Sequence, residues 1–224
     1  GHGDFKMLVF APSTVQEMVD LTRVAFDLGD KYRMPAMILS DGLLGQMMEP
    51  VVMPKDGITK IPERTWAACG HNEKRKHNIV NSLYIDPPNL EALIKARFEK
   101  YEIISEKEQR CEEYLTDDAE IIVVAYGAAA RIARSGVDAA RKEGIKAGLI
   151  RPITLWPFPD KAIISRIAKA KTFLCVEMSM GQMVEDVRLA VNGKRDVKFF
   201  GRTGGVVPTP AEVLSELKKI KGGI

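Results

Sequence analysis

From residue 120 onward, short apolar runs alternate with longer segments whose apolar positions recur at helical spacing. A short strand, a crossover helix and another short strand in this order are typical of a parallel α/β unit. The pattern predicts strands at 121–126, 146–150, 172–177 and 196–200, separated and followed by helices at about 128–143, 160–170, 182–191 and 210–220. We therefore expect this half of the chain to form a parallel sheet covered by helices.

The last of these helices has clear start signals. Thr209 can cap it, Pro210 suits its first position, and Glu212 completes a capping box with Thr209. The sequence thus predicts where this helix begins as well as its existence.

The beginning of the chain also shows a strand followed by a helix. A strand is predicted at 7–10, and the apolar positions over 15–26 fall on one helical face that ends near Gly29. Ser13 and Gln16 have capping-box spacing before this helix.

A second strand is predicted at 35–39, before a turn at Ser40-Asp41-Gly42. Strand, helix and strand are too few elements for a complete doubly wound domain. Residues 50–100 then change character and predict an extended linker between two domains, with a helix over 90–101 leading into the second. The prolines that interrupt this linker are Pro50, Pro54, Pro62, Pro87 and Pro88.

Composition narrows the range of functions. The chain has 224 residues, 46% of them hydrophobic, and a net charge of only +3, which gives no reason to expect a nucleic-acid or membrane partner. No apolar run approaches the length of a membrane span, and the first residues lack the features of a signal peptide, so we expect a cytoplasmic protein. Cys69, Cys111 and Cys175 are too far apart to predict an iron–sulfur cluster held by this chain alone.

The first four residues, Gly1-His2-Gly3-Asp4, are a candidate for ligand contact. Small residues allow close backbone approach, and a histidine and a carboxylate can handle protons. A frayed or tag-derived terminus explains them equally well. The chain lacks an initiator methionine and runs directly into a strand, so we expect the sequence to begin partway through a domain.

Three further segments follow predicted strands, where open parallel sheets bind ligands. The turn at Asp41 and Gly42 is a ligand candidate or a plain tight turn. The loop Gly201-Arg202-Thr203-Gly204-Gly205 could bind an anion or serve packing or subunit contact. Glu177 could be a paired buried carboxylate or a charge at a helix N-terminus, and a catalytic role is the less favoured interpretation.

Six short motifs occur in a fixed order along the chain. They are Gly-His-Gly-Asp at 1–4, Ser-Asp-Gly-Leu-Leu-Gly-Gln-Met-Met-Glu-Pro at 40–50, Ala-Tyr-Gly at 125–127, Ile-Arg-Pro-Ile-Thr-Leu-Trp-Pro-Phe-Pro at 150–159, Val-Glu-Met-Ser-Met-Gly-Gln-Met at 176–183 and Gly-Arg-Thr-Gly-Gly at 201–205. Together they resemble the α subunit of 2-oxoacid:ferredoxin oxidoreductases, and most closely the 2-ketoisovalerate type.

The resemblance implies a fold and a reaction. The fold would be α/β, with the C-terminal part of a thiamine-enzyme pyrimidine-binding domain at 1–85, a linker and lead-in helix at 86–119, and a parallel-sheet transketolase C-terminal-like domain at 120–224. The reaction would be thiamine-diphosphate-dependent oxidative decarboxylation of a 2-oxoacid of the branched-chain type to acyl-CoA, with electrons passed to ferredoxin.

The resemblance also implies cofactors and partners. Thiamine diphosphate with magnesium would be bound only in the assembled complex, while iron–sulfur clusters and CoA would lie on partner subunits or domains. The partners would be the other subunits, ferredoxin, the 2-oxoacid and CoA, without nucleic acid or membrane.

Only pocket-lining roles carry over to individual residues, and no catalytic or metal-binding residue is assigned. His2, Gly3, Asp4, Asp41 and Gly42 would line the substrate or cofactor pocket. The family's segment with a Tyr-Pro-Ile-Thr-Pro-type motif and its cofactor-activating glutamate is missing from this sequence. We therefore expect the isolated chain to be inactive and to bind thiamine diphosphate weakly.

Two alternatives remain open. The first is another thiamine-dependent enzyme with the same domain types, such as a transketolase or the β chain of a 2-oxoacid dehydrogenase E1. The amino-acid sequence at 151–159 argues against both of these enzymes. A non-catalytic assembly module would use the strand-end loops only to bind a partner or an anion.

Overall fold

A computed structural model describes residues 3–53 and 64–223. These residues form seven helices and eight strands, and the strands make up two sheets. In chain order the elements are β1 (Leu8–Phe10), α1 (Val15–Tyr32), β2 (Ala36–Ile38), α2 (Gly42–Gln46), α3 (Pro87–Lys107), β3 (Cys111–Tyr114), β4 (Ile121–Val124), α4 (Gly127–Lys142), β5 (Ala147–Pro152), β6 (Thr154–Trp156), α5 (Asp160–Arg166), β7 (Thr172–Glu177), α6 (Met183–Val191), β8 (Asp196–Gly201) and α7 (Pro210–Gly222).

The larger sheet has the strand order β3-β5-β4-β7-β8. Its four strands from β4 onward are parallel, which confirms the predicted alternation of strands and helices. Strand β3, which lies before residue 120, was not predicted, and it adds an antiparallel strand at the edge by pairing with β5. The link from β3 to β4 over 115–120 is too short for a crossover, so the chain has to reverse direction between the two strands.

Helices cover both faces of this sheet. Along β4, Ile121 and Val123 point into a core shared with α4 and α7, while Ile122 and Val124 point into a core shared with α5 and α6. Gly136 lets α4 and α7 approach closely, since a Cβ atom there would lie 2.6 Å from Val213 Cγ1. The near-continuous apolar strands are thus explained by burial on both faces.

The smaller sheet has the order β2-β1-β6. Strand β1 is parallel to β2, and it pairs antiparallel with β6, which belongs to the second half of the chain. The segment after Arg151 is therefore a strand of the smaller sheet, where the sequence predicted only a proline-rich tail. Helix α1 packs on this sheet, with Leu21 and Leu28 beside Leu8 and Phe10 in a third core.

Two helix boundaries differ from the sequence predictions. Helix α1 continues through Gly29, and its C-cap is Arg33 in the left-handed conformation with φ of 50°. Its N-cap is Thr14, whose hydroxyl accepts from Glu17 N, so the predicted Ser13–Gln16 capping box was shifted by one residue.

Helix α3 is longer than the predicted 90–101, because Asp86 caps a start at Pro87. The segment 86–119 therefore contributes both α3 and strand β3. The domain boundaries at 85 and 119 stay a prediction.

Within the described ranges, the model contains no helix with the length and apolar character needed to cross a lipid bilayer.

Candidate functional site

The carboxyl ends of β2, β4 and β7 meet around a cavity of about 210 Å³. Ligands of open α/β sheets bind at this edge, so its position is the first reason to consider it a site. Residues from both halves of the chain line it: Leu39, Ser40, Asp41, Tyr126, Gly127, Ala129, Glu177, Met178 and Gln182.

Asp41 joins the two halves at this cavity. One of its carboxylate oxygens accepts from Leu44 N at 2.8 Å and caps α2, and the other accepts from Ala128 N at 3.1 Å at the start of α4. Gly127 precedes that amide with φ of +58°, and a Cβ atom there would lie 3.1 Å from Asp41 Oδ2. Glycine is thus required both by the backbone conformation and by the close approach of the carboxylate.

Glu177 is held by the start of α6. Its side chain is 1% exposed, and its carboxylate accepts from the backbone N–H groups of Gln182, Met183 and Val184 at 2.9–3.1 Å. The Ser179 hydroxyl donates to it at 3.1 Å. The interpretation of Glu177 as a charge at a helix N-terminus is confirmed, and the carboxylate satisfies amides that would otherwise be unpaired.

Tyr126 lines the cavity together with these two acids. Burial raises the pKa of Tyr126, and the negative charges of Glu177 and Asp41 raise it further, so the phenol stays protonated at neutral pH. Ser40 and Tyr126 bring hydroxyl groups to the residues that line the cavity, and Gln182 brings an amide. The arrangement suits orientation of a small polar group better than proton abstraction.

The structure brings only part of the predicted pocket lining together. Asp41 lines the cavity, and Gly42 follows it as the first residue of α2. Gly3 and Asp4 are exposed and do not line the cavity, and His2 lies outside the described residues. The substrate- or cofactor-pocket roles of all five residues stay a prediction.

The loop 201–205 has a structural partner of its own. The Arg202 guanidinium forms an ion pair with Glu212, and Arg202 N donates to Glu177 O at 3.1 Å. Glu212 in turn accepts from Thr209 N and completes the predicted capping box of α7. Thr203, Gly204 and Gly205 are exposed. A carboxylate therefore occupies the place that an anion would take, which favours the packing interpretation of this loop over the anion site.

Sequence reasoning missed the role of Arg151, which is 6% exposed. Its guanidinium makes two hydrogen bonds to Glu17 of α1, at 2.7 and 3.0 Å, and one to Glu112 of β3 at 2.8 Å. Burial alone raises the pKa of Glu17, but hydrogen bonds from Arg151 and Ser13, with the charge of Arg151, outweigh it and hold the pKa below its ordinary value. Arg151 and Glu17 are 134 positions apart, so no local pattern could reveal the pair.

Within the described ranges, no group of three or more His, Cys, Asp or Glu side chains is placed to hold a metal ion. Cys175 is buried and Cys111 half-buried, whereas Cys69 is exposed. Burial raises the pKa of the Cys175 thiol, which keeps it in the unreactive protonated form.

The described residues form an α/β fold with a cavity at the carboxyl ends of parallel strands, and two solved structures share this fold. A 2-oxoglutarate:ferredoxin oxidoreductase from Magnetococcus marinus, solved with 2-oxoglutarate, coenzyme A and succinyl-CoA bound, shares the fold with a TM-score of 0.77 at 20% identity. The match covers 98% of this chain and 43% of that one. A split-gene transketolase, described as an inactive β4 tetramer, matches with a TM-score of 0.52 at 14% identity over 95% of this chain and 56% of that one.

The chain belongs to the pyruvate flavodoxin/ferredoxin oxidoreductase family. Residues 2–118 match its thiamine diphosphate-binding domain, and residues 119–213 match core domain II of pyruvate:ferredoxin oxidoreductase. The predicted family resemblance is thereby confirmed.

Several curated relatives are similar over nearly the whole chain. The ketoisovalerate oxidoreductase subunit VorB of Methanothermobacter thermautotrophicus is 48% identical over 99% of this chain, and the 2-oxoglutarate synthase subunit KorA of Methanothermobacter marburgensis is 31% identical over 98%. The chain spans 62% of the length of the first relative and 65% of the second.

Proposed function

We propose that this chain is the α-subunit portion of a thiamine-diphosphate-dependent 2-oxoacid:ferredoxin oxidoreductase that acts on a branched-chain 2-oxoacid. The observation that carries the proposal is the 48% identity to a ketoisovalerate oxidoreductase subunit across 222 residues. The reaction would release CO₂ from the oxoacid, form acyl-CoA and pass electrons to ferredoxin in the cytoplasm.

Thiamine diphosphate supplies the carbanion chemistry in such enzymes, and the protein supplies orientation and electrostatics. The strand-end cavity does not fit the cofactor itself. Its volume of about 210 Å³ lies below the usual range of about 300–1,000 Å³ for ligands of that size, and the acids Asp41 and Glu177 already accept from backbone amides. In this proposal thiamine diphosphate and magnesium are bound only in the assembled complex, and the iron–sulfur clusters and CoA lie on partner subunits or domains.

The part proposed for this chain is positional. Asp41 and Gly127 fix the end of β2 against the start of α4, and Arg151 fixes α1 against β3 and β5. These contacts would hold the thiamine-binding half of the chain in one orientation on the assembly half. A cofactor site shared with a partner subunit needs that orientation to be constant.

The test is reconstitution under anoxic conditions. The full-length subunit that contains this chain is co-expressed with the other subunits, and reduction of a viologen dye is followed with CoA and one oxoacid at a time. We expect 2-ketoisovalerate to give a kcat/KM at least tenfold above pyruvate and 2-oxoglutarate. A complex that prefers 2-oxoglutarate refutes the branched-chain assignment, and one with no oxoacid-dependent activity refutes the enzyme assignment.

The isolated chain provides a second test. We expect calorimetric titration with thiamine diphosphate and magnesium to show no binding tighter than the millimolar range. The assembled complex, titrated in the same buffer, is the control. Micromolar affinity for the isolated chain contradicts the expectation that the site needs residues from outside it.

A further inference from the structure

A second cavity, of about 480 Å³, is lined by residues from both halves of the chain and shares none of them with the strand-end cavity. We refer to it as the lateral cavity. Its walls are the end of α3, the segment from β6 into α5, and α6 with the residues that follow it, and Lys6 before β1 also lines it. The volume falls within the range of about 300–1,000 Å³ that is usual for small-molecule sites.

The walls of the lateral cavity are held in place by contacts within the protein. Gln109 Nε2 donates to Asp160 Oδ1 at 2.7 Å, which joins the end of α3 to the start of α5. The Trp156 ring packs edge-on against Tyr101 with 5.7 Å between centroids, and Phe158 packs against the core shared with α5 and α6. The cavity therefore needs little ordering when a ligand binds, which lowers the entropic cost of binding.

Two cations and two acids line the cavity, so its formal charge is zero. They are Lys6, Lys194, Asp160 and Asp186. Asp160 accepts from Gln109, whereas neither lysine nor Asp186 forms an ion pair with any residue that the structure describes. Lys6 is half-buried and Lys194 is exposed, so the charge of Lys6 is the less screened by water.

The carboxylate of Asp186 is only partly compensated. Removal of water around Asp186 raises its pKa, and the negative charges of Glu185 and Glu177 raise it further, while the charge of Lys6 opposes them without cancelling their effect. Lys6 and Asp186 are thus close enough to interact but do not form an ion pair. A positively charged group bound beside Asp186 would stabilise its ionised form.

A ligand that matches these charges carries one negative and one positive group. A carboxylate bound by Lys6 and an ammonium group bound by Asp186 would satisfy both side chains and leave the cavity neutral. A dicarboxylate would instead bring a second negative charge to the two acids, and a diamine would bring a second positive charge to the two lysines. The charges therefore favour a zwitterion.

The remaining wall is apolar and favours an apolar side chain on the ligand. Trp156, Phe158 and Leu189 line the cavity, and Leu189 is 78% exposed. An apolar side chain placed against them removes its own surface and part of theirs from water.

We propose that the lateral cavity binds an α-amino acid with an apolar side chain, whose carboxylate contacts Lys6 and whose ammonium group contacts Asp186. This inference does not draw on the oxidoreductase activity proposed above, so either proposal can fail without the other.

The test is calorimetric titration of the full-length subunit that contains this chain, with L-leucine and three analogues. Isoamylamine lacks the carboxylate, isocaproate lacks the ammonium group, and glycine lacks the side chain. We expect L-leucine to bind with a dissociation constant in the millimolar range. Each analogue is expected to bind at least tenfold more weakly, because each loses one of the three contacts.

Two variants separate the polar contacts. Lys6→Met is expected to weaken binding of L-leucine at least tenfold without weakening that of isoamylamine, which has no carboxylate to lose. Asp186→Asn is expected to weaken binding of L-leucine by a similar factor without weakening that of isocaproate. The matched controls are Lys142→Met and Asp27→Asn, at exposed positions that do not line the cavity, and they are expected to bind like the wild type.

Absence of L-leucine binding at millimolar concentrations overturns the inference. Equal affinity of the wild type for L-leucine and either charged analogue refutes recognition of a zwitterion and overturns it as well. Wild-type affinity of both variants places the ligand outside this cavity, with the same consequence. The unfolding temperature of each variant without ligand is expected to match the wild type; where a variant does not fold, the ligand series on the wild type decides.

Discussion

Glu177 offers the clearest test of how the cavity wall is stabilised. In Glu177→Gln, one amide oxygen can still accept from Gln182 and Met183, but the new NH₂ group faces the N–H of Val184, a donor against a donor. An unpaired buried donor costs about 1–3 kcal/mol. Loss of the negative charge at the start of α6 adds about 0.3–1 kcal/mol, and up to about 2 kcal/mol at a buried site.

A neutral amide is easier to bury than a carboxylate, which works in the opposite direction. Because four donors already compensate the carboxylate, we expect the losses to prevail by about 3 kcal/mol. For a chain of this size each kcal/mol shifts the melting temperature by about 2–4 °C, so the decrease should be about 6–12 °C.

Differential scanning calorimetry measures this shift, with Glu185→Gln as the control. Glu185 is an exposed acid in the first turn of the same helix, so its substitution is expected to cost less than about 1 kcal/mol. An E177Q variant as stable as the wild type contradicts the reasoning, because it would mean that burial of the charge costs as much as the four hydrogen bonds contribute.

Three other predictions concern the joint between the halves and the buried thiol. Because the pKa of Glu17 is lowered in the fold, its contribution to stability is complete above the ordinary carboxyl pKa of 4.5 and is lost as the pH falls through the lower folded pKa. The melting temperature of Glu17→Gln should therefore fall less than that of the wild type between about pH 5 and 3, whereas the control Glu91→Gln, at an exposed site, should behave like the wild type. Gly127→Ala should lower the free energy of unfolding by about 1–2 kcal/mol through the left-handed backbone, and further through the close approach of Asp41. The control Gly144→Ala, at φ of +78° with no atoms nearby, should show only the backbone cost. Equal losses in urea unfolding refute a role for Asp41. Iodoacetamide should label Cys69 in the native protein and Cys175 only after unfolding, as mass spectrometry can show; equal native labelling contradicts the burial of Cys175.

Four of the five strands of the larger sheet could be predicted from the amino-acid pattern alone. Strands β4, β5, β7 and β8 and helices α4, α6 and α7 lie within a few residues of their predicted positions, because burial on two faces leaves a continuous apolar run and burial on one leaves a helical period. The six short motifs were likewise enough to indicate the family. Asp41 could be proposed as a ligand-facing residue because it follows a strand.

The contacts that join these elements depend on how the whole chain folds. Strands β3 and β6 are short, and their sequences carry no strong alternation, so they become strands only because the edges of β5 and β1 offer unpaired backbone groups. Asp41 meets Ala128 across 87 positions, and Arg151 meets Glu17 across 134. Helical and strand periods depend on residues close in sequence, whereas contacts at such separations depend on how whole elements pack. The cavity and the contacts of Asp41 and Arg151 could therefore be seen only in the folded chain.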